Sequence, residues 1–316
     1  MKVGIPRCLF YHEYSPVWET FFSEVGADIV VSPNTTKAIL KRGLNLAHTD
    51  ICLPMKIAFG HVDYLREKVD IIFLPRIVSI EKDKYVCPKA IGFTDMVRAV
   101  IGDLPPILDP IFDVRRRPLE YGYYALGKKF GKSKAQVDLI LKRAEEIKKV
   151  KKKGFEVSGD CLVVAIISRS YLINDNLASF NLVDRLQEKG ITVLTADMVG
   201  NDVIKREAST LKKSIYYSLG ERSVGAAFYF FRSSLVDGLI HLLSFDCGPD
   251  ALLKEFIDKE AKMSSIPYMT LIVDEHTGVE GILTRVEAFL DMVIRKKNES
   301  SFSSYGGTCP RSKAIL

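Results

Sequence analysis

The chain contains no CxxC pair and no GxxxxGK[ST] loop. The first absence removes the local zinc-finger signature, so any metal site has to be assembled from distant parts of the chain. The second removes the phosphate-binding loop of the common nucleotide hydrolases. No uninterrupted apolar stretch reaches the roughly 18 residues that a spanning helix needs, and no membrane partner is expected. Low-complexity tracts, collagen repeats and coiled-coil heptads are also missing. The chain opens on the strand-like "MKVGIP", which does not read as a secretory signal; a cytoplasmic protein is expected.

What is present is a globular composition: 316 residues, 47% hydrophobic and 27% charged, enough for one large or two ordinary domains. The net charge is +6. Much of the excess lies in "KRAEEIKKVKKKG" (142–154), which has no aromatic residue until Phe155. It reads as a solvated helix and linker, and no nucleic-acid partner is expected. Six cysteines in a chain of this length do not suggest a disulfide framework. They are packed fillers, catalytic thiols or ligands.

Strand-like and helix-like segments alternate, which predicts an α/β protein with mostly parallel sheets. In 1–105, "KVGIP", "ADIVVSP" and "VDIIFLPRI" read as strands. "YSPVWETFFSEVG", "TTKAILKRG" (capped by Thr35 or Thr36), "CLPMKIAFGHVDYLREK" and "CPKAIGFTDMVRAVIG" read as helices. Residues 106–158 break the rhythm with a turn-rich bridge and a charged helical connector. The pattern restarts in 159–298, with strands "CLVVAIIS", "ITVLTAD", "VDGLIHLLSF" and "PYMTLIVDE" and a long helical stretch from about 203 to 233. The polar tail 299–316 reads as flexible.

Cys52, Cys87 and Cys247 share one context: a proline follows within two residues, and a helix pattern follows the proline. A helix N-terminus offers unpaired N–H groups and about half a positive charge, which favour the metal-binding thiolate. Proline suits the first helical turn because it lacks the donor that would be left over. Spacing leaves both a shared metal site and three packed thiols open; a zinc site completed by His61 or His48 is chemically allowed. Cys8 follows a strand and faces the same open question. Cys161 reads as core, and Cys309 as part of the tail. Asp274, Glu275 and His276 follow the strand "TLIVD". Glu275 with His276 reads as a proton-transfer pair or a tuning contact. Otherwise Asp274 and Thr277 cap the next helix while Glu275 pairs with Arg285. Arg76, Lys89 and Lys56 are candidate positive charges near the thiolates.

Five blocks in order carry a resemblance: "MKVGIPRCLFYHEYSPVWETFFSEVGADIVVS", "CLPMKIAFGHV", "YVCPKAIGFTDMV", "FDCGPDALL" and "DEHTGVEGILTRVEAFLDM". Together they resemble the acyl-CoA dehydratase activase-related family, DUF2229. The chain is also similar to the cluster-binding subunits of 2-hydroxyacyl-CoA dehydratases and benzoyl-CoA reductases, and to double-cubane cluster proteins. The resemblance implies two Rossmann-like lobes with an iron–sulfur cluster in the cleft between them. It implies a 4Fe-4S cluster held by Cys52, Cys87 and Cys247; a double-cubane cluster would need further thiols from Cys8, Cys309 or a second subunit. It implies an ATP-dependent activase, carrying its own cluster, as electron donor, and a homologous subunit or a homodimer as a further partner. Where relatives carry a Gly-His-Pro-Tyr-like turn, this chain has "SRSY" (168–171), and Cys8 stands where a small apolar residue is expected.

Three functions follow. The first is an iron–sulfur redox protein that reduces a substrate, as a low-potential reductase or acyl-CoA dehydratase component, or relays the electron. The second is an accessory or assembly module of the activase system with a zinc or metal-free cysteine site. The third is a conventional α/β enzyme with structural cysteines.

Overall fold

The structure is a computed structural model that describes residues 1–151 and 161–303. The end of the expected connector (152–158) and most of the expected tail, including Cys309, lie outside the described residues. The chain divides into two units. One is Met1–Lys153 with Asn174–Leu177 and Tyr216–Ser218; the other is Gly154–Ile173, Ala178–Ile215 and Leu219–Leu316.

The first unit runs β1 (Lys2–Ile5), α1 (Tyr11–Glu24), β2 (Asp28–Val31), α2 (Lys37–Leu44), α3 (Leu53–Leu65), β3 (Ile71–Phe73), β4 (Arg76–Ser79), α4 (Pro88–Ile91), α5 (Phe93–Val100), β5 (Ile107–Leu108), β6 (Ile111–Asp113), α6 (Glu120–Lys129) and α7 (Lys134–Lys151). Its main sheet has the order β2-β1-β3-β5, and every pairing in it is parallel. β4 and β6 form a separate parallel pair. Aromatic side chains of α1 seal one face: Trp18 and Phe22 meet Phe73 edge-on, with centroids 5.1 and 4.9 Å apart.

Three details differ from the sequence reading. "VDIIFLPRI" is two strands, because Pro75 has no N–H for a ladder and the chain changes sheet there. "CPKAIGFTDMVRAVIG" is two helices, α4 and α5, which meet at Gly92. Residues 106–113 are not a bare bridge: β5 closes the main sheet and β6 pairs with β4. α6 and α7 follow, and Arg143 of α7 reaches Glu24 of α1 at 3.0 Å.

α2 and α3 cross at unusually close range, and two glycines permit it. A Cβ on Gly43 would lie 1.8 Å from the Lys56 carbonyl oxygen, and one on Gly60 would lie 2.0 Å from that of Ile39. Thr36 caps α2 by accepting from the Ile39 N–H.

The second unit runs β7 (Val163–Ile167), α8 (Ser170–Ile173), α9 (Leu182–Glu188), β8 (Thr192–Thr195), α10 (Asn201–Ala208), α11 (Ser218–Arg232), β9 (Gly238–Ser244), α12 (Gly248–Met263), β10 (Tyr268–Val273) and α13 (Val279–Ser303). Its sheet has the order β10-β9-β7-β8, again all parallel. β7 and β9 are buried along their whole length; β7 is an unbroken apolar run, and β9 carries one buried histidine, His241, among its apolar residues. The long helix expected at 203–233 is broken. Ser209 and Thr210 donate their hydroxyls back to the carbonyls of Arg206 and Glu207 and end α10.

Read from the strand that starts each unit, the two sheets share one order. The chain first pairs the opening strand on one side (β2, β8), then crosses to its other side (β3, β9). Each unit therefore has a topological switch point, between β1 and β3 and between β7 and β9. Ligands of open α/β sheets bind outside the carboxyl ends of the strands at such a point.

Candidate functional site

Each of the three singled-out cysteines is a helix N-cap. Cys52 precedes α3, Cys87 precedes α4 and Cys247 precedes α12, each with proline in the first two helical positions and none with a side-chain cap bond. None of the three is in a disulfide among the described residues; Cys52 is buried, and Cys87 and Cys247 are partly exposed. The elements before them differ. Cys247 follows β9 directly, Cys87 follows β4 through the loop 80–86, and Cys52 follows a helix, α2.

Cys52 and Cys87 belong to the first unit, and Cys247 belongs to the second. Lys89 Nζ donates to the carbonyl oxygen of Asp50 at 3.3 Å, which joins the first turn of α4 to the residues leading into Cys52. Lys56 is buried in the first turn of α3, its N–H donating to the Cys52 carbonyl. Arg76 does not serve as a free charge. It bonds Asp95 and Asp109, and these carboxylates hold its pKa up against the cost of partial burial. Among the described residues, no group of three or more His, Cys, Asp or Glu side chains is placed to hold a metal ion.

The other cysteines separate clearly. Cys8 is buried, and burial, with a smaller contribution from Asp175, pushes its thiol well above the ordinary range. It is a neutral thiol. Cys161 is exposed rather than core, because β7 starts only at Val163; its carbonyl accepts from Lys297.

His61 is not a free ligand. Its ring is fully buried, with Nδ1 2.8 Å from Ser32 Oγ and Nε2 2.9 Å from Thr35 Oγ1. Thr35 donates its one hydroxyl proton to Asp175 Oδ2. It must therefore accept from Nε2–H, and Ser32 must donate to Nδ1. Ser32 Oγ in turn accepts from the Arg7 N–H at 2.8 Å. The chain Arg7–Ser32–His61–Thr35–Asp175 is thus one directional series of bonds with both imidazole nitrogens in use. Burial, with repulsion from His12 and Arg7, lowers the His61 pKa to about 3. The zinc site built on His61 fails here, and the side chain of the alternative, His48, is 77% exposed. Sequence reasoning missed Ser32, Thr35 and Asp175 in this role, since Thr35 and Asp175 stand 140 positions apart.

The two switch points differ in chemistry. In the first unit, Cys8, Leu9, Trp18, Phe73, Leu74 and Phe93 line a small, half-open apolar hollow. In the second, the turn after β7 carries Ser168 and Arg169, both buried. Arg169 Nε donates to Asp250 Oδ1 at 2.7 Å, and Nη2 bonds the same oxygen. Burial opposes the guanidinium charge, but Asp250 outweighs it and raises the pKa, with Tyr171 and Cys247 adding to the effect.

Beyond β10, the "DEHTG" segment folds on itself. Asp274 Oδ1 accepts from Thr277 Oγ1 at 2.6 Å and from the His276 N–H at 3.0 Å. The Thr277 bond holds the Asp274 carboxyl below its usual range. Asp274 and Thr277 therefore close a turn ahead of α13 by bonding each other. Glu275 is 13% exposed and His276 is 84% exposed, with Nε2 3.8 Å from the Glu275 carboxylate.

Comparison with known proteins places the chain in a family. Residues 2–199, more than half of the chain, fit the model of a family described as the CoA enzyme activase uncharacterised domain, DUF2229. No curated protein matches the chain.

Proposed function

The chain belongs to the CoA enzyme activase uncharacterised-domain family, and from that premise we propose that it is an iron–sulfur redox protein of an acyl-CoA dehydratase-type activase system. Membership links the chain to that system; the cluster and its ligands are our reading. The observation that carries it is the repeated capping geometry of Cys52, Cys87 and Cys247. Each thiol stands at the first turn of a helix, and the longer helices α3 and α12 offer positive N-terminal ends for a thiolate. In this reading the three thiolates would hold three irons of a cubane cluster and leave the fourth open to another ligand. A bound cluster would supply storage and transfer of one electron at low potential.

The chain's own residues have separate tasks in this reading. Arg169 and the start of α12 favour the thiolate of Cys247, while Lys89 fixes α4 against the segment of Cys52. Glu275 and the exposed His276 serve as the proton-transfer pair that accompanies electron transfer, on a turn held by Asp274. The chain carries no nucleotide-binding loop of the GxxxxGK[ST] type, so ATP hydrolysis falls to an activase partner that donates the electron. A homologous subunit or a second copy completes the assembly.

The test is iron and sulfide analysis of anaerobically purified protein, with electron paramagnetic resonance after reduction. The reading predicts brown protein with a reducible cluster that Cys87→Ala abolishes. Colourless protein with one zinc would favour the accessory-module reading.

A further inference from the structure

The switch point of the second unit holds donors without acceptors. Among the described residues, Ser168 Oγ and Arg169 Nη1 are buried with no hydrogen-bond partner. Arg169 is only 5% exposed and Ser168 only 9%. A buried donor left unpaired costs about 1–3 kcal/mol, and native proteins carry few of them. Two on adjacent residues, at the place where the topology puts a ligand, call for an acceptor.

The surroundings indicate what kind of acceptor. Ser168 and Arg169 follow β7, while Cys247 and α12 follow β9, the adjacent strand across the switch point. Arg169 reaches α12 itself, through Asp250 in its first turn. Asp250 takes Nε and Nη2 on a single oxygen, which leaves Nη1 as the guanidinium's spare donor. α12 is a helix of 16 residues with no side-chain cap. Ala251 N–H returns to the Cys247 carbonyl and Pro249 has none, so helix geometry leaves the N–H groups of Gly248 and Asp250 without an intrahelical partner. The first turn is also open: a Cβ on Gly248 would meet no atom within 4 Å. Helix N-termini with exposed N–H groups bind phosphate and related anions.

We propose that the crevice at the carboxyl ends of β7 and β9 binds a phosphate-type oxyanion, free or as the terminal group of a larger ester, through Ser168 Oγ, Arg169 Nη1 and the first turn of α12. Asp250 positions the guanidinium and keeps the site near neutral, so the N–H donors and the helix end supply the attraction. The site does not depend on iron and stands whether or not Cys247 binds a cluster.

The test is calorimetric titration of the full-length chain with inorganic phosphate and, separately, with ADP, at ionic strength matched by chloride. Iron content is measured on the same samples, so failure of the cluster reading and failure of this one are told apart. Saturable phosphate binding is expected, weakened on the order of tenfold in Ser168→Ala. Removing Arg169 alone would strand Asp250, so the second variant is Arg169→Gln with Asp250→Asn, which keeps the pair neutral and is expected to abolish binding. Tighter binding of ADP with the same dependence on Ser168 identifies an ester as the source, and equal affinity identifies the free anion. No saturable binding of either probe, or equal binding by the wild-type chain and both folded variants, would overturn the proposal.

Discussion

Lys89 Nζ lies 3.3 Å from the carbonyl oxygen of Asp50, and this bond ties the residues before Cys52 to the helix that Cys87 begins. It places two of the three candidate thiols on neighbouring segments of one unit. The thiols are caps of helices whose positions are set by packing elsewhere, α3 by its glycine crossing with α2 and α5, which follows α4, by the edge-on contact of Phe93 with Phe59.

A cysteine series follows from this arrangement. Cys52→Ser and Cys87→Ser are expected to lose bound iron. Cys161→Ser, on an exposed residue ahead of β7, and Cys8→Ala, at a buried neutral thiol, are expected to keep it. Iron analysis of the four purified variants checks this; loss of iron in Cys8→Ala would make that residue a ligand.

The crossing of α2 and α3 gives a stability prediction. Gly60→Ala forces a methyl group to within 2.0 Å of the Ile39 carbonyl oxygen, and the helices must separate. The expected cost is about 2–4 kcal/mol, an overpacking penalty at a backbone contact. Gly281→Ala in α13 meets nothing within 4 Å and is expected to stabilise by up to about 1 kcal/mol. Denaturant titration of both variants measures the difference.

Acid should weaken the fold before carboxylates titrate. Burial lowers the pKa values of His61 to about 3, and of His12 and His241 to about 4. Each is held neutral when folded and has an ordinary value of 6.5 when unfolded. The contribution is therefore fully present above pH 6.5 and is lost as pH falls towards the folded values. At pH 5 each histidine should cost about 2 kcal/mol relative to neutral pH. Thermal midpoints measured between pH 7 and pH 5 should fall steadily; a flat profile would mean that these rings protonate in place.

Much of this molecule can be read from its residues. The unbroken apolar run of β7 and the Cys-Pro helix starts need only local physics, and the structure carries them unchanged. Elements whose identity depends on remote partners could not be read locally. β5 has two residues and is a strand only because β3 lies beside it. His61 looks like a ligand in sequence, and what makes it a bridge is Asp175, far along the chain. "SRSY" stood out as a departure from the related pattern, but its chemistry came into view only when Asp250 and α12 were placed against it.

The central claim is that Cys52, Cys87 and Cys247 hold an iron–sulfur cluster. Iron and acid-labile sulfide counts on anaerobically isolated wild-type chain test it most directly. The account predicts about four of each per chain, lost together when any one of the three cysteines is replaced. Folded wild-type protein containing neither iron nor sulfide after anaerobic reconstitution would contradict it.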